Sequence, residues 1–171
     1  MLVEKPFVLN KIQSKKIIKI IKKNKVKCMC AMHQRFRPIS SIIKDVIQKN
    51  KIGKIYYIKI AIKQYRNVPI HSKVFSDKTK SGGGPLIDLG SHYFDLACWF
   101  LNFPKIKSIT ANNFNNLVKM SKIVKRYLPF EKFSNEEFTT GIINFKNKST
   151  INFEISYLLN VKQNLREIEI Y

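Results

Sequence analysis

From Thr150 to Tyr157 the chain reads TINFEISY, in which Ile151, Phe153, Ile155 and Tyr157 alternate with Thr150, Asn152, Glu154 and Ser156. Side chains of a strand point to opposite faces in turn, so a period of two requires a sheet with one buried and one polar face. The preceding EEFTTGIINF, joined through Lys146-Asn147-Lys148, completes a predicted hairpin. IYYIKIAIKQY, Ile55 to Tyr65, carries the same signal: Tyr56, Ile58, Ile60 and Ile62 fall on one side, Tyr57, Lys59 and Lys63 on the other. KIKSITAN and the final REIEIY read as two more strands.

Helical periodicity alternates with these strands in the first two thirds of the chain. Asn10 is placed to cap a helix running to about Asn24, with Ile17, Ile18 and Ile21 on one face. VKCMCAMH, Val26 to His33, has the length and apolarity of a short buried strand. Pro38 can open the next helix, with Gly53 supplying its stop. A third helix is predicted from Asp88 to Leu101, with Leu89, Tyr93, Ala97 and Phe100 at packing spacing and Pro104 ending it. Residues 65–84 are too long for a bare connection and read as a lid or binding loop; Asn112 to Phe133 reads as a loop or insertion. The expected architecture is the tail of an α/β unit, then an α+β domain with an open, mostly antiparallel sheet covered by helices on one face.

The formal net charge of +21 raises the question of a nucleic-acid partner. The positive residues are mostly Lys, spread along the whole chain beside many Ile and Asn, which is a bias that AT-rich codons produce. SKKIIKIIKKNK has its Ile on one helical face and its Lys on the other, as a solvated helix does. Neither nucleic acid nor membrane is expected as a partner, since no apolar run is long enough to span a bilayer. The N-terminus lacks the features of a signal peptide. The three cysteines form neither a disulfide framework nor a metal-binding spacing, so Cys28, Cys30 and Cys98 read as small buried hydrophobes in a reducing cytoplasm, with no metal site.

The stretch with most chemical content is SGGGPLIDLGSHYFD, Ser81 to Asp95. Its glycine run lacks the G-x-G-x-x-G order after a strand, and no acidic residue follows at the distance that reads a ribose. It is better read as backbone that must pass close to a neighbour as it enters a helix. Asp88 and His92, at i and i+4, would project from one helical face. An Asp at a helix start also serves as a plain N-terminal charge, and a His can be a satisfied core residue.

Taken in order, EKP at Glu4 to Pro6, HQRFRP at His33 to Pro38, IGKI at Ile52 to Ile55, and GGGPLIDLGSHYFDLACWFLNFP resemble the signature of the Gfo/Idh/MocA oxidoreductases, the relatives of glucose–fructose oxidoreductase and inositol dehydrogenase. The later hairpin and REIEIY resemble the family's next strands. The resemblance implies the α/β tail of a Rossmann domain at residues 1–35 and an incomplete α+β substrate and oligomerisation domain at residues 36–171. It also implies hydride exchange between NAD or NADP and a sugar- or polyol-like hydroxyl or ketone.

Removing hydride from a carbinol needs a base for the hydroxyl proton, and a neutral His oriented by a carboxylate suits that task. The resemblance implies that His92 is the acid/base, that Asp88 is its partner or a ligand of a substrate hydroxyl, and that Lys5 stabilises charge on the reacting oxygen. Glu4, Lys5 and Pro6 would lie against the cofactor. Arg35, Tyr65 and Arg66 are candidates for substrate binding, His33 can reach the same cleft, and Asp95 reads as a capping or supporting residue. The glycine-rich dinucleotide unit of the family is absent from these residues. The chain is therefore expected to be a truncated or split member, inactive alone, that associates with a missing-half polypeptide or forms a homo-oligomer. The alternative is a non-catalytic remnant or oligomerisation module.

Overall fold

The computed structural model describes residues 1–69, 74–116 and 133–171. Its elements follow in the order β1 (Leu2–Val3), α1 (Lys11–Lys23), β2 (Met29–Cys30), a 3-10 turn (His33–Phe36), α2 (Pro38–Gln48), β3 (Tyr57–Lys63), α3 (Lys78–Ser81), a π-turn (Leu86–Gly90), α4 (Ser91–Phe100), β4 (Ile106–Phe114), β5 (Phe138–Phe145), β6 (Thr150–Ser156) and β7 (Leu165–Ile170). β1 and β2 pair in parallel as a two-stranded sheet, and the other strands form a five-stranded sheet in the order β4-β5-β6-β3-β7. β3 and β6 are parallel at its centre, and every other pairing in this sheet is antiparallel.

The alternation read from sequence becomes the two faces of this sheet. Ile58, Ile60 and Ile62 of β3 and Ile151, Phe153 and Ile155 of β6 are buried beneath Leu96, Ala97 and Phe100 of α4, with Ile43 and Ile47 of α2 packed alongside. On the opposite face Lys59 pairs with Glu169 at 2.6 Å and Lys63 with Glu154. Tyr56 departs from its predicted side: it lies before the strand begins and is exposed. The hairpin turns through Lys148 in the left-handed region, with φ 69°.

Local chemistry sets the helix ends. The Asn10 side chain accepts from the Gln13 N–H at 3.0 Å, and Lys22 and Lys23 occupy the last turn, where a cation complements the helix dipole. Pro38 starts α2, which stops at Gln48 instead of Gly53 because Asn50 already takes a left-handed conformation, φ 53°. The buried Lys44 of α2 donates to the Trp99 carbonyl at 2.6 Å and the Asn102 Oδ1 at 2.7 Å, closing the end of α4. Burial lowers the Lys44 ammonium below its ordinary value.

The N-terminal segment is slighter than expected: VKCMCAMH contributes only Met29–Cys30 to a strand, since β1 offers only Leu2–Val3 to pair with. The long segment 65–84 contains α3, capped by the Asp77 side chain, and its residues 70–73 lie outside the described residues. Of the predicted insertion, Asn112–Phe114 completes β4, while 117–132 lie outside the described residues. Among the described residues no helix is long and apolar enough to cross a membrane.

Candidate active site

The glycine run reaches its place by steric necessity. Gly82 has φ +79°, a region costly for residues with a Cβ, and a Cβ on Gly84 would lie 2.1 Å from the Glu136 carbonyl oxygen. Gly84 N–H donates to Glu136 Oε1 at 2.8 Å, and its carbonyl accepts from the Ile87 and Asp88 N–H groups. The run therefore seats the Asp88 turn against the lead-in to β5.

Lys5, just after β1, meets that turn. Its Nζ donates to Asp88 Oδ1 at 2.6 Å and to the Asp88 carbonyl at 2.8 Å, while Asp88 Oδ2 accepts from the Tyr157 hydroxyl at 2.7 Å. The Lys5 and Asp88 side chains are only 18% and 20% exposed, so their attraction is less screened than that of a surface pair. Burial, then the Asp88 carboxylate, raises the Tyr157 phenol far above its ordinary value, keeping it a donor. An ammonium has three N–H donors, and two of those on Lys5 are engaged here.

His92 lies one turn on. Its Nδ1 is buried with no hydrogen-bond partner, and its ring meets the His33 ring edge-to-face, with centroids 4.4 Å apart. Burial chiefly, then Lys5 and His33, lowers the imidazole below its ordinary value, against the opposing pull of Asp88 and Glu4. His92 is therefore neutral at pH 7 and able to accept a proton.

The expected hydrogen-bonded pairing of Asp88 with His92 does not form. Residues 86–90 are a π-turn, which holds more residues per turn than an α-helix and breaks the i, i+4 alignment. Lys5 and Tyr157 occupy both carboxylate oxygens instead.

Arg35, Tyr65 and Arg66 engage partners other than Lys5. Arg35 lies over the Phe103 ring at 5.0 Å and is bound to Asp95, its Nε donating to Oδ2 at 2.6 Å and a terminal nitrogen donating to Oδ1. Asp95 thus anchors the 3-10 turn to α4 and caps nothing. Tyr65 and Arg66 are exposed just past β3 and stack on each other at 4.7 Å. Glu4 and Pro6 are exposed on either side of Lys5.

A mostly apolar cavity of about 210 Å³, lined by Lys5, Phe7, Leu9, Met32, Ile87 and Ser91, adjoins the Lys5–Asp88 cluster. A larger cleft of about 570 Å³ lies at the β5–β6 turn, far from these groups, and has no acid/base pair in its lining. Among the described residues no group of His, Cys, Asp or Glu can hold a metal ion. Cys28, Cys30 and Cys98 are free thiols, and burial raises Cys30 and Cys98 above the ordinary thiol value. Tyr157 is the site residue that pattern reading assigned to the core. Its signal was available, because a phenol on a buried strand face needs an acceptor.

Residues 41–171 match the profile of the GFO/IDH/MocA C-terminal domain. D-glucoside 3-dehydrogenase of Escherichia coli is 30% identical over 133 residues, covering 77% of this chain and 37% of that protein. Among solved structures, myo-inositol 2-dehydrogenase from Lactobacillus plantarum superposes on 99% of this chain and 47% of its own, with TM-score 0.78 and 17% identity. GenD2 from gentamicin A biosynthesis, in complex with NAD, superposes with TM-score 0.76 and 18% identity over 99% of this chain and 46% of its own. The chain thus spans between about a third and a half of the length of these proteins.

Proposed function

This chain belongs to the GFO/IDH/MocA oxidoreductase family, and from that premise we propose that it carries the acid/base half of a hydride-transfer site for a sugar- or polyol-like hydroxyl or ketone. The observation that carries the reading is the Lys5–Asp88–Tyr157 cluster set one turn before a buried, neutral His92 with an unpartnered ring nitrogen.

The residues present fit the nicotinamide end of a dinucleotide. Lys5 retains one N–H for a hydroxyl of the cofactor ribose or for the reacting oxygen, and Glu4 and Pro6 flank it. When bound, NAD or NADP supplies the hydride acceptor or donor. His92 takes the hydroxyl proton in the oxidative direction and returns it in the reductive one. Lys5, held by Asp88, stabilises negative charge developing on the same oxygen from a fixed position, so no reorganisation is needed at the moment of transfer. Tyr157 keeps Asp88 turned towards Lys5. The two-part division at residues 35 and 36, the missing-half or identical-copy partner, and a reducing cytoplasm for the three free thiols belong to the same proposal.

No G-x-G-x-x-G occurs in these 171 residues, so calorimetry on the isolated chain should detect no NAD(H) binding; micromolar affinity would contradict the division of labour. With a dinucleotide-binding half supplied, nicotinamide absorbance should report turnover on sugar or polyol substrates. His92→Ala and Lys5→Ala should each lower that turnover by about 10²–10⁴-fold. Unchanged rates in both would remove the assignment.

A further inference from the structure

An acid/base histidine is ordinarily oriented through a hydrogen bond on its second ring nitrogen, often from a carboxylate. His92 lacks this device, because its Nδ1 is buried without a partner and the nearest carboxylate, Asp88, is committed to Lys5 and Tyr157. The ring packed against it is His33, edge-to-face at 4.4 Å with planes 63° apart. His33 is not loosely placed: it opens the 3-10 turn His33–Phe36, and Arg35 within that turn is clamped to Asp95 of α4, the helix that carries His92.

We propose that His33 is the positioning residue of His92, its ring edge fixing the imidazole plane where no hydrogen bond on Nδ1 does so. The proposal rests on the reading of His92 as acid/base only for its functional meaning; the pairing itself is a property of this chain. A ring 4.4 Å away also disfavours charge on His92, in the same direction as burial and Lys5. Lys5 and Glu4 face His92 from the segment after β1, and Asp88 faces it from the π-turn, with Tyr157, just after β6, bonded to Asp88. Lys5 also opposes protonation, while Asp88 and Glu4 favour it. His33 itself touches Gln34, its Nε2 lying 3.2 Å from the amide nitrogen.

The test is a ¹⁵N-imidazole NMR titration of the full 171-residue chain, alongside His33→Gln and His33→Phe. In the wild type the His92 signals should report one ring orientation and a midpoint below the ordinary histidine value. Both variants should raise the His92 midpoint by about half a pH unit or more. His33→Phe should keep the ring of His92 in one orientation, and His33→Gln should release it. A wild-type His92 ring that exchanges between orientations overturns the proposal, and that measurement needs no variant to fold. So does a His92 midpoint unchanged in both variants of wild-type circular dichroism. Turnover of the complemented His92→Ala protein tests the acid/base reading separately, so a fixed His92 ring with undiminished turnover would retain the positioning claim and discard the catalytic one.

Discussion

The two sheets of this molecule use equally apolar strands to opposite effect. In the five-stranded sheet Ile58, Ile60, Ile62, Ile151 and Ile155 are fully buried, whereas around the two-stranded sheet Leu2 is 70% and Met29 48% exposed. α1 has an apolar face but no buried residue, and its Ile12 is 81% exposed. Patterning specifies which side of an element is able to enter a core, but only a second layer facing that side makes one. β3 and β6 have α4 and α2 across from them; β1, α1 and β2 have no such layer among the described residues. The site is built where the two regions touch: Lys5 comes from the exposed region, Asp88, His92 and Tyr157 from the buried one, and the Arg35–Asp95 pair holds them in register.

The comparison is most easily broken by truncating isoleucines. Ile60→Ala should cost about 2–5 kcal/mol of stability through lost burial and the cavity left behind, while Ile12→Ala should stay within about 0.5 kcal/mol. Urea denaturation of both variants checks this, and equal losses would mean that α1 is packed in solution. Asp95→Ala tests the contact between the 3-10 turn and α4. It leaves the Arg35 guanidinium, 29% exposed, without its carboxylate, and should cost about 1.5–3 kcal/mol. A loss confined to faster proteolysis of the first thirty or so residues would sharpen the view that this pair joins two units of unequal stability.

The smallest effect concerns pH. The folded His92 resists protonation, so the unfolded chain binds more protons as pH falls through the ordinary histidine value near 6.5. The stabilisation is complete above that value and is lost as pH falls towards the lower folded one. Denaturation midpoints at pH 7.5 and pH 5 should therefore differ more for wild type than for His92→Gln. Identical differences would place the acid sensitivity elsewhere.

Much of the fold was legible. Ile58 to Ile62 and Ile151 to Tyr157 announced half-buried strands, Asn10 and Pro38 announced helix starts, and Ser81 to Asp95 announced a glycine-rich entry to a helix, which begins at Ser91 instead of Asp88. The parallel pairing of β3 with β6 was not legible, since alternation specifies faces and carries no strand direction. The partner of His92 was hidden for a different reason. A single π-turn at Leu86–Gly90 shifts the angular relation of Asp88 and His92, and nothing in residue spacing announces a change from four to five residues per hydrogen-bonded turn.

By itself the sequence determined the period-two and helical faces and the glycine run that leads into the Asp88 segment, because each depends on neighbours a few residues away. Only the tertiary structure decided that Asp88 serves Lys5 and Tyr157, that Glu136 closes on the glycine run, and that His92 meets His33 edge-to-face. Competition for one carboxylate is settled by which groups arrive within hydrogen-bond distance, and Lys5 and Tyr157 arrive from 83 and 69 residues away.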